Sequence, residues 1–291
     1  MKVQAECCLC LIERGYKEII RATNDPKIQF KATSAILTAI NSGFNYNAVP
    51  ARIGTIRDRT IKQITGRDPY EKERHRSNVI ALKLLPKVEL MILRGKTDYE
   101  RFKVACISSI VGNIIEFDIV GHAFNFNDLE KLIQTAKLTI DHTEKIYRLI
   151  KKAKSVIFLT DNAGEIALDT LLVKEIQRLG PKVTVAVKAA PILNDATMKD
   201  AKEVGMEKIA DELITIGTDT VGLILEETPP EFRRKISKSD IIIAKGMANY
   251  ETLTETKIKK PIAFLFRAKC NPIARSAKVE RNNNVALLIK N

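Results

Sequence analysis

Residues 155–166 read Ser155-Val156-Ile157-Phe158-Leu159-Thr160-Asp161-Asn162-Ala163-Gly164-Glu165-Ile166. The unbroken apolar run over Ser155–Thr160 predicts a strand buried on both faces. Asp161, Asn162 and Gly164 close that strand, and the pattern over Ile166–Leu179 has helical spacing. A strand that turns tightly into a helix is the first half of a βαβ unit. Five further short runs follow at Val183–Val187, Glu212–Ile216, Asp240–Ala244, Pro261–Phe266 and Val285–Ile289, with helical segments between most of them. This alternation predicts an α/β fold: a doubly wound, mostly parallel sheet with helices on both faces.

Before residue 150 the period differs. Apolar residues recur at helical spacing in Leu9, Ile12 and Tyr16, in Ile36, Leu37 and Ile40, in Leu129, Leu132, Ile133 and Ala136, and in Ile140, Ile146 and Ile150. Gly15 is expected to interrupt the first helix, and Asn24-Asp25-Pro26 to end it. Asp68-Pro69 opens a charged helix over Tyr70–Leu85. No strand pattern is visible in this half. We therefore expect an all-helical N-terminal region over residues 1–150, followed by an α/β domain over 151–291 that carries the site.

Composition narrows the function classes. With 45% hydrophobic and 29% charged residues the 291-residue chain is too apolar to be disordered. No stretch approaches the ~18 apolar residues of a membrane span, and the N-terminus lacks the apolar segment of a signal peptide. Five cysteines form no secreted disulfide framework. A cytoplasmic protein is expected, its oligomeric state left open. The net charge of +13 concentrates in residues 51–76 (+4) and 255–291 (+7). Neither stretch carries an RNA-binding signature or a Cys/His finger, so the charge reads as a solvated basic surface or as attraction for an anionic ligand. A basic nucleic-acid-binding protein rests on charge alone.

Ligands of open parallel sheets bind beyond the carboxyl ends of the strands, so the residues there decide the chemistry. Asp161 and Asn162 offer adjacent hard oxygen donors suited to Mg²⁺ or Mn²⁺. The helix after Gly164 presents its N-terminus to an anion; the alternative is that Asp161 or Asn162 caps this helix. Asp195 lies after the second strand and stands beside Asp161 if the two strands are neighbours; otherwise it caps a helix starting at Ala196. Lys245 and Lys269 follow later strands on the same edge, where two ammonium groups could hold a phosphate. Acidic ligands with converging lysines compose a metal-dependent phosphoryl site. A Walker loop is absent.

The ordered motifs Glu6-Cys7-x-x-Cys10, Gly112-Asn113-Ile114-Ile115-Glu116, Asp161-Asn162-Ala163-Gly164-Glu165, Asn194-Asp195, Lys245-Gly246-x-x-Asn249-x-Glu251 and Lys269-Cys270 resemble the damage-control phosphatase family over nearly the whole chain. The resemblance implies a divalent-metal-dependent phosphatase acting on damaged or surplus phosphometabolites, with Asp161, Asn162 and Asp195 matching the metal ligands. It implies Mn, Ni, Co or Mg as the ion and a small phosphorylated metabolite as partner; the lack of a long apolar stretch implies no membrane partner. Cys7-x-x-Cys10 is similar to the branch found in archaea and in pantetheine-phosphate phosphatases, which favours nucleotide-like or cofactor-like phosphates. Arg267-Ala268-Lys269-Cys270 departs from the Arg-Thr-x-Lys signature of the sugar-phosphate branch. In this reading Lys245 and Lys269 bind phosphate charge while Asn113 and Asn249 donate hydrogen bonds. Glu116, Glu165 and Glu251 are further candidates. Asp161 stands where haloacid-dehalogenase phosphatases keep their nucleophile, but Ala163 replaces their second aspartate, so water attack and a phosphoenzyme both stay open.

Cys7 and Cys10 lack a second pair for a zinc site; burial as small apolar residues and a role near the cleft both stay open. Gly112 reads either as a helix break or as part of the site. An S-adenosylmethionine-dependent carboxyl methyltransferase, a role proposed within the same family, is the second enzyme class. Its expected loop carries several glycines, whereas Asp161–Glu165 has only Gly164.

Overall fold

The computed structural model describes residues 1–115 and 126–290. Its first elements are α1 (Cys7–Ala22), α2 (Pro26–Gly43), α3 (Pro50–Thr65), α4 (Glu71–Leu93), α5 (Asp98–Ile115) and α6 (Phe126–Thr135). Next come β1 (Leu138–Asp141), α7 (Thr143–Ile150), β2 (Ser155–Leu159), α8 (Glu165–Arg178), β3 (Lys182–Val187), α9 (Met198–Glu203) and β4 (Glu212–Thr215). The chain closes with α10 (Pro230–Lys238), β5 (Ile241–Lys245), α11 (Gly246–Leu253), β6 (Ile262–Arg267), α12 (Asn271–Ala277) and β7 (Asn284–Ile289). The strands form one sheet in the order β1-β7-β6-β5-β2-β3-β4. Every pairing is parallel except β6 with β7. The expected doubly wound α/β architecture is the one observed.

Both sheet faces are covered, which is why the strands read as continuous apolar runs. On one face Val156, Phe158, Val185 and Ile243 pack with Leu168 and Leu172 of α8, Ile110 of α5 and Val88 of α4. On the other, Ile157, Ile242 and Phe264 pack with Phe232 of α10, Tyr250 of α11 and Ile273 of α12. Each such side chain contributes about 1.5–3 kcal/mol on full burial.

The helices before residue 150 take two different places. Helices α4 and α5 join the layer on the sheet, whereas α1–α3 keep small cores of their own, such as Ile19, Ala32, Ile36 and Ile61. Helix α3 is tied to the loops at the carboxyl ends of β3 and β4. The Val221 amide donates to Thr55 Oγ1 at 2.9 Å, Arg59 pairs with Asp219 at 2.7 Å, and the Leu193 amide donates to Asp58 Oδ1 at 3.4 Å. The three helices thus roof the edge of the sheet where a ligand would enter.

Three local expectations are corrected, and the helix-break alternative for Gly112 is not taken. Strand β1 exists in the half read as strandless, pairing with β7 and taking in Ile140, which was read as helical. With four residues it is too short to show a period. Gly15 does not interrupt α1; a Cβ there would lie 2.6 Å from Ile36 Cδ1 and 2.9 Å from Arg57 Cδ, so the glycine lets α1 approach α2 and α3. Gly112 likewise sits inside α5, where a Cβ would lie 2.8 Å from Leu168 Cδ1 on α8. Helix α4 continues past Pro86 to Leu93, because Val88, Met91 and Ile92 are buried against the sheet layer and hold the turn that proline weakens.

Candidate active site

The loops after β2 and β3 are joined by their backbones. The Ala196 amide donates to Asp161 O at 2.8 Å, the Ala163 amide donates to Asn194 O at 2.9 Å, and Asn162 and Asp195 form an isolated antiparallel bridge. These bonds follow from the pairing of β2 with β3, and they bring Asp161, Asn162 and Asp195 side by side. All three are buried. They line a cavity of about 60 Å³ that Asn113, Gly246 and Lys269 also border.

The capping alternatives are not taken. The N-cap of α8 is Gly164, with no side-chain cap, and its amide donates to Asn78 Oδ1 of α4 at 2.7 Å. Helix α9 starts at Met198 behind a capping box of Thr197 and Asp200. Asp161, Asn162 and Asp195 are therefore not spent on helix ends.

Charge is crowded here. Asp161 Oδ2 accepts from Asn162 Nδ2 at 2.9 Å and from Asn113 Nδ2 at 3.1 Å. Burial raises the Asp161 carboxyl well above its usual range, and the neighbouring carboxylates Glu165 and Asp195 push the same way, against Lys269 and Lys245. Burial also raises Asp195, to about 6, with Lys188 opposing from 3.4 Å. Two buried carboxylates and an amide side by side are a donor set that fits a hard divalent cation. No group of three His, Cys, Asp or Glu side chains among the described residues is arranged for an ion, so the set depends on the Asn162 amide.

Lys245 lies beneath this cavity rather than in its wall. Its ammonium is fully buried, pairs with Glu165, donates to Asp169 Oδ1 at 2.7 Å and reaches Ser109 O at 3.1 Å. Burial alone would lower its pKa, but Asp169 and Glu165 outweigh that and raise it, so it stays charged. The lysine expected to hold phosphate is thus paired with two carboxylates and does not line the cavity. Asn249 is also turned away: its amide donates to Lys245 O at 2.7 Å and Thr160 O at 3.2 Å, tying β5 to the end of β2. Lys269 does border the cavity, and its Nζ donates to Asn113 O at 3.1 Å.

The remaining candidates are divided. Glu165 is buried at the start of α8 and accepts from Asn113 and Asn162. Cys7, Cys10 and Glu251 border a second cavity of about 380 Å³, not the pocket of Asp161. Glu116 falls outside the described residues. Sequence reasoning missed four residues. Asp169 sits one turn after Glu165 on α8, a spacing that marks a shared face. Lys188 follows β3 directly, and its position could have drawn notice. Arg14, which borders both cavities, and Asn78 come from distant helices and carry no local signal.

With this geometry in place, comparison with known proteins is informative. Residues 3–285 match the model of the damage-control phosphatase ARMT1-like domain. The chain belongs to the ARMT1-like damage-control phosphatase family. A damage-control phosphatase of Archaeoglobus fulgidus is 39% identical, with both chains covered in full. One from Pyrococcus horikoshii is 33% identical, over 99% of this chain and 98% of that one. The crystal structure of a DUF89 family protein from Pyrococcus horikoshii superposes with a TM-score of 0.88 at 34% identity, covering 99% of each chain. Membership in the damage-control phosphatase family supports phosphatase activity in general. No helix among the described residues is long and apolar enough to cross a membrane.

Proposed function

We propose that this damage-control phosphatase hydrolyses phosphomonoesters of small metabolites with the help of one divalent cation, Mn, Ni, Co or Mg. Asp161, Asn162 and Asp195 would hold the ion. When bound, the cation supplies positive charge against the phosphoryl oxygens. Lys269 and Arg14, which border the same cavity, bind the remaining phosphate charge. Asn113 holds Asp161 and Glu165 together, and Lys245, itself paired with Asp169, fixes Glu165 from below. Resemblance to the branch bearing Cys7 and Cys10 favours nucleotide-like or cofactor-like phosphates.

The observation that carries this reading is the convergence of Asp161, Asn162 and Asp195 with Lys269 around one small cavity at the strand carboxyl ends. The test is p-nitrophenyl phosphate turnover by protein stripped with a chelator, then after return of Mn²⁺, Co²⁺, Ni²⁺ or Mg²⁺. Activity should vanish and return with the metal. Full-rate cleavage by metal-free protein overturns the proposal. A panel of phosphometabolites, run with the best metal, then ranks the substrates.

A further inference from the structure

The cavity of Asp161 adjoins a larger one of about 380 Å³: Arg14, Leu193, Val221, Met247, Ala248 and Lys269 border both. The smaller space suits a phosphoryl group. The larger has the size of a site for a bulky organic ligand. Its walls come from α1, α3 and α11, and Leu11, Ala51, Val221 and Met247 make much of that lining apolar. Its carboxylates and cations are largely engaged with protein: Glu13 pairs with Lys17, Glu6 with Arg275, and Arg57 with Glu18.

Gly54 of α3 faces this space. A Cβ built there would meet only Val221 Cγ2, at 3.8 Å, an ordinary van der Waals contact. Gly15 differs, since a Cβ there would collide with α2 and α3 side chains. A helix interior disfavours glycine relative to alanine, and at position 54 no packing contact demands it. What the missing side chain provides is room in the cleft.

We propose that the larger cavity is the leaving-group subsite, that it selects phosphomonoesters of bulky alcohols bearing an apolar face, and that Gly54 sets its capacity. This rests on the phosphatase reading above. A small polyol would leave hydroxyl groups unpaired against Leu11, Val221 and Met247, whereas an apolar face displaces water from them.

The experiment compares phenyl phosphate with biphenyl-4-yl phosphate, whose leaving phenols have similar acidity, using the metal-loaded full chain. Wild-type kcat/KM should favour the biphenyl ester at least tenfold. Gly54→Leu should cut kcat/KM for the biphenyl ester at least ten times more than for the phenyl ester. Gly54→Ala, the milder change, should shift the ratio in the same direction by a smaller factor, and melting curves check that both variants fold. Turnover of both esters without preference, or an equal effect of the substitutions on both, overturns the subsite while leaving the phosphatase intact. No turnover of either ester by folded, metal-loaded protein removes the phosphatase reading, and the subsite falls with it.

Discussion

Gly246 lies against the carboxylate of Asp161, so closely that a Cβ built on it would overlap Oδ1, Cγ and Oδ2. Its φ of +77° is in the left-handed region, which disfavours any side chain. The turn from β5 into α11 thereby lets backbone pass where a side chain would displace the central carboxylate. Gly246→Ala should lose activity by roughly two orders of magnitude, with a stability loss of about 1–3 kcal/mol from the strained backbone. Phosphatase rate and chemical denaturation together check this. A nearly active Gly246→Ala protein would show that the Asp161 position is not critical.

Asp161 itself separates a metal ligand from a structural acid. Asp161→Asn keeps the shape and removes a negative charge from a buried cluster containing Glu165 and Asp195. Melting temperature should hold or rise, because like-charge repulsion and burial of charge are both relieved. Metal-dependent activity should collapse, since hard cations favour charged oxygen donors. Paired melting and rate measurements decide it. Unchanged activity would leave the proposed ion without its central ligand.

Lys245 is expected to act through stability. Lys245→Met strands Glu165 and Asp169, both buried, without their shared counter-ion. Removing one partner of a buried pair costs about 3–5 kcal/mol, or roughly 10 °C in melting temperature for a chain of this size. Calorimetry reads the effect directly. A variant that melts normally but binds phosphate poorly would return Lys245 to the phosphate site.

Glu18 and Arg57 form another buried ion pair, at 2.6 Å, under the α1–α3 roof. Burial pushes the Glu18 carboxyl up to about 7, Asp58 adds to the rise, and Arg57 opposes it. Between its ordinary value of 4.5 and about 7, the native state holds a proton that the unfolded chain has released. That contribution to stability is full below the lower value and is lost as pH rises through the upper one. Glu18→Gln has no such proton, so its stability relative to wild type should rise by on the order of 3 kcal/mol from pH 4 to pH 8. Urea denaturation of both proteins across that range checks the sign. A difference that does not vary with pH would mean that Glu18 titrates normally.

The sequence by itself determined the α/β class, the main strands, and the candidacy of Asp161, Asn162, Asp195 and Lys269. Strands buried on both faces must be continuous apolar runs, and polar residues at their carboxyl ends stand out against them. Periodicity could not reveal strand β1, which has four residues and draws its partner β7 from the far end of the chain. Nor could it tell that Gly15 and Gly112 serve close helix approach, since that depends on which helices meet. Only the tertiary structure decided which lysine reaches the cavity. Lys245 and Lys269 both follow strands on one edge, yet Glu165 and Asp169, one helical turn apart on α8, draw the first into the interior. Arg14 joins the cleft for the same kind of reason: α3 is bonded to the loops after β3 and β4 and carries α1 over them. Such placements arise from contacts between segments remote in the chain, which no local pattern encodes.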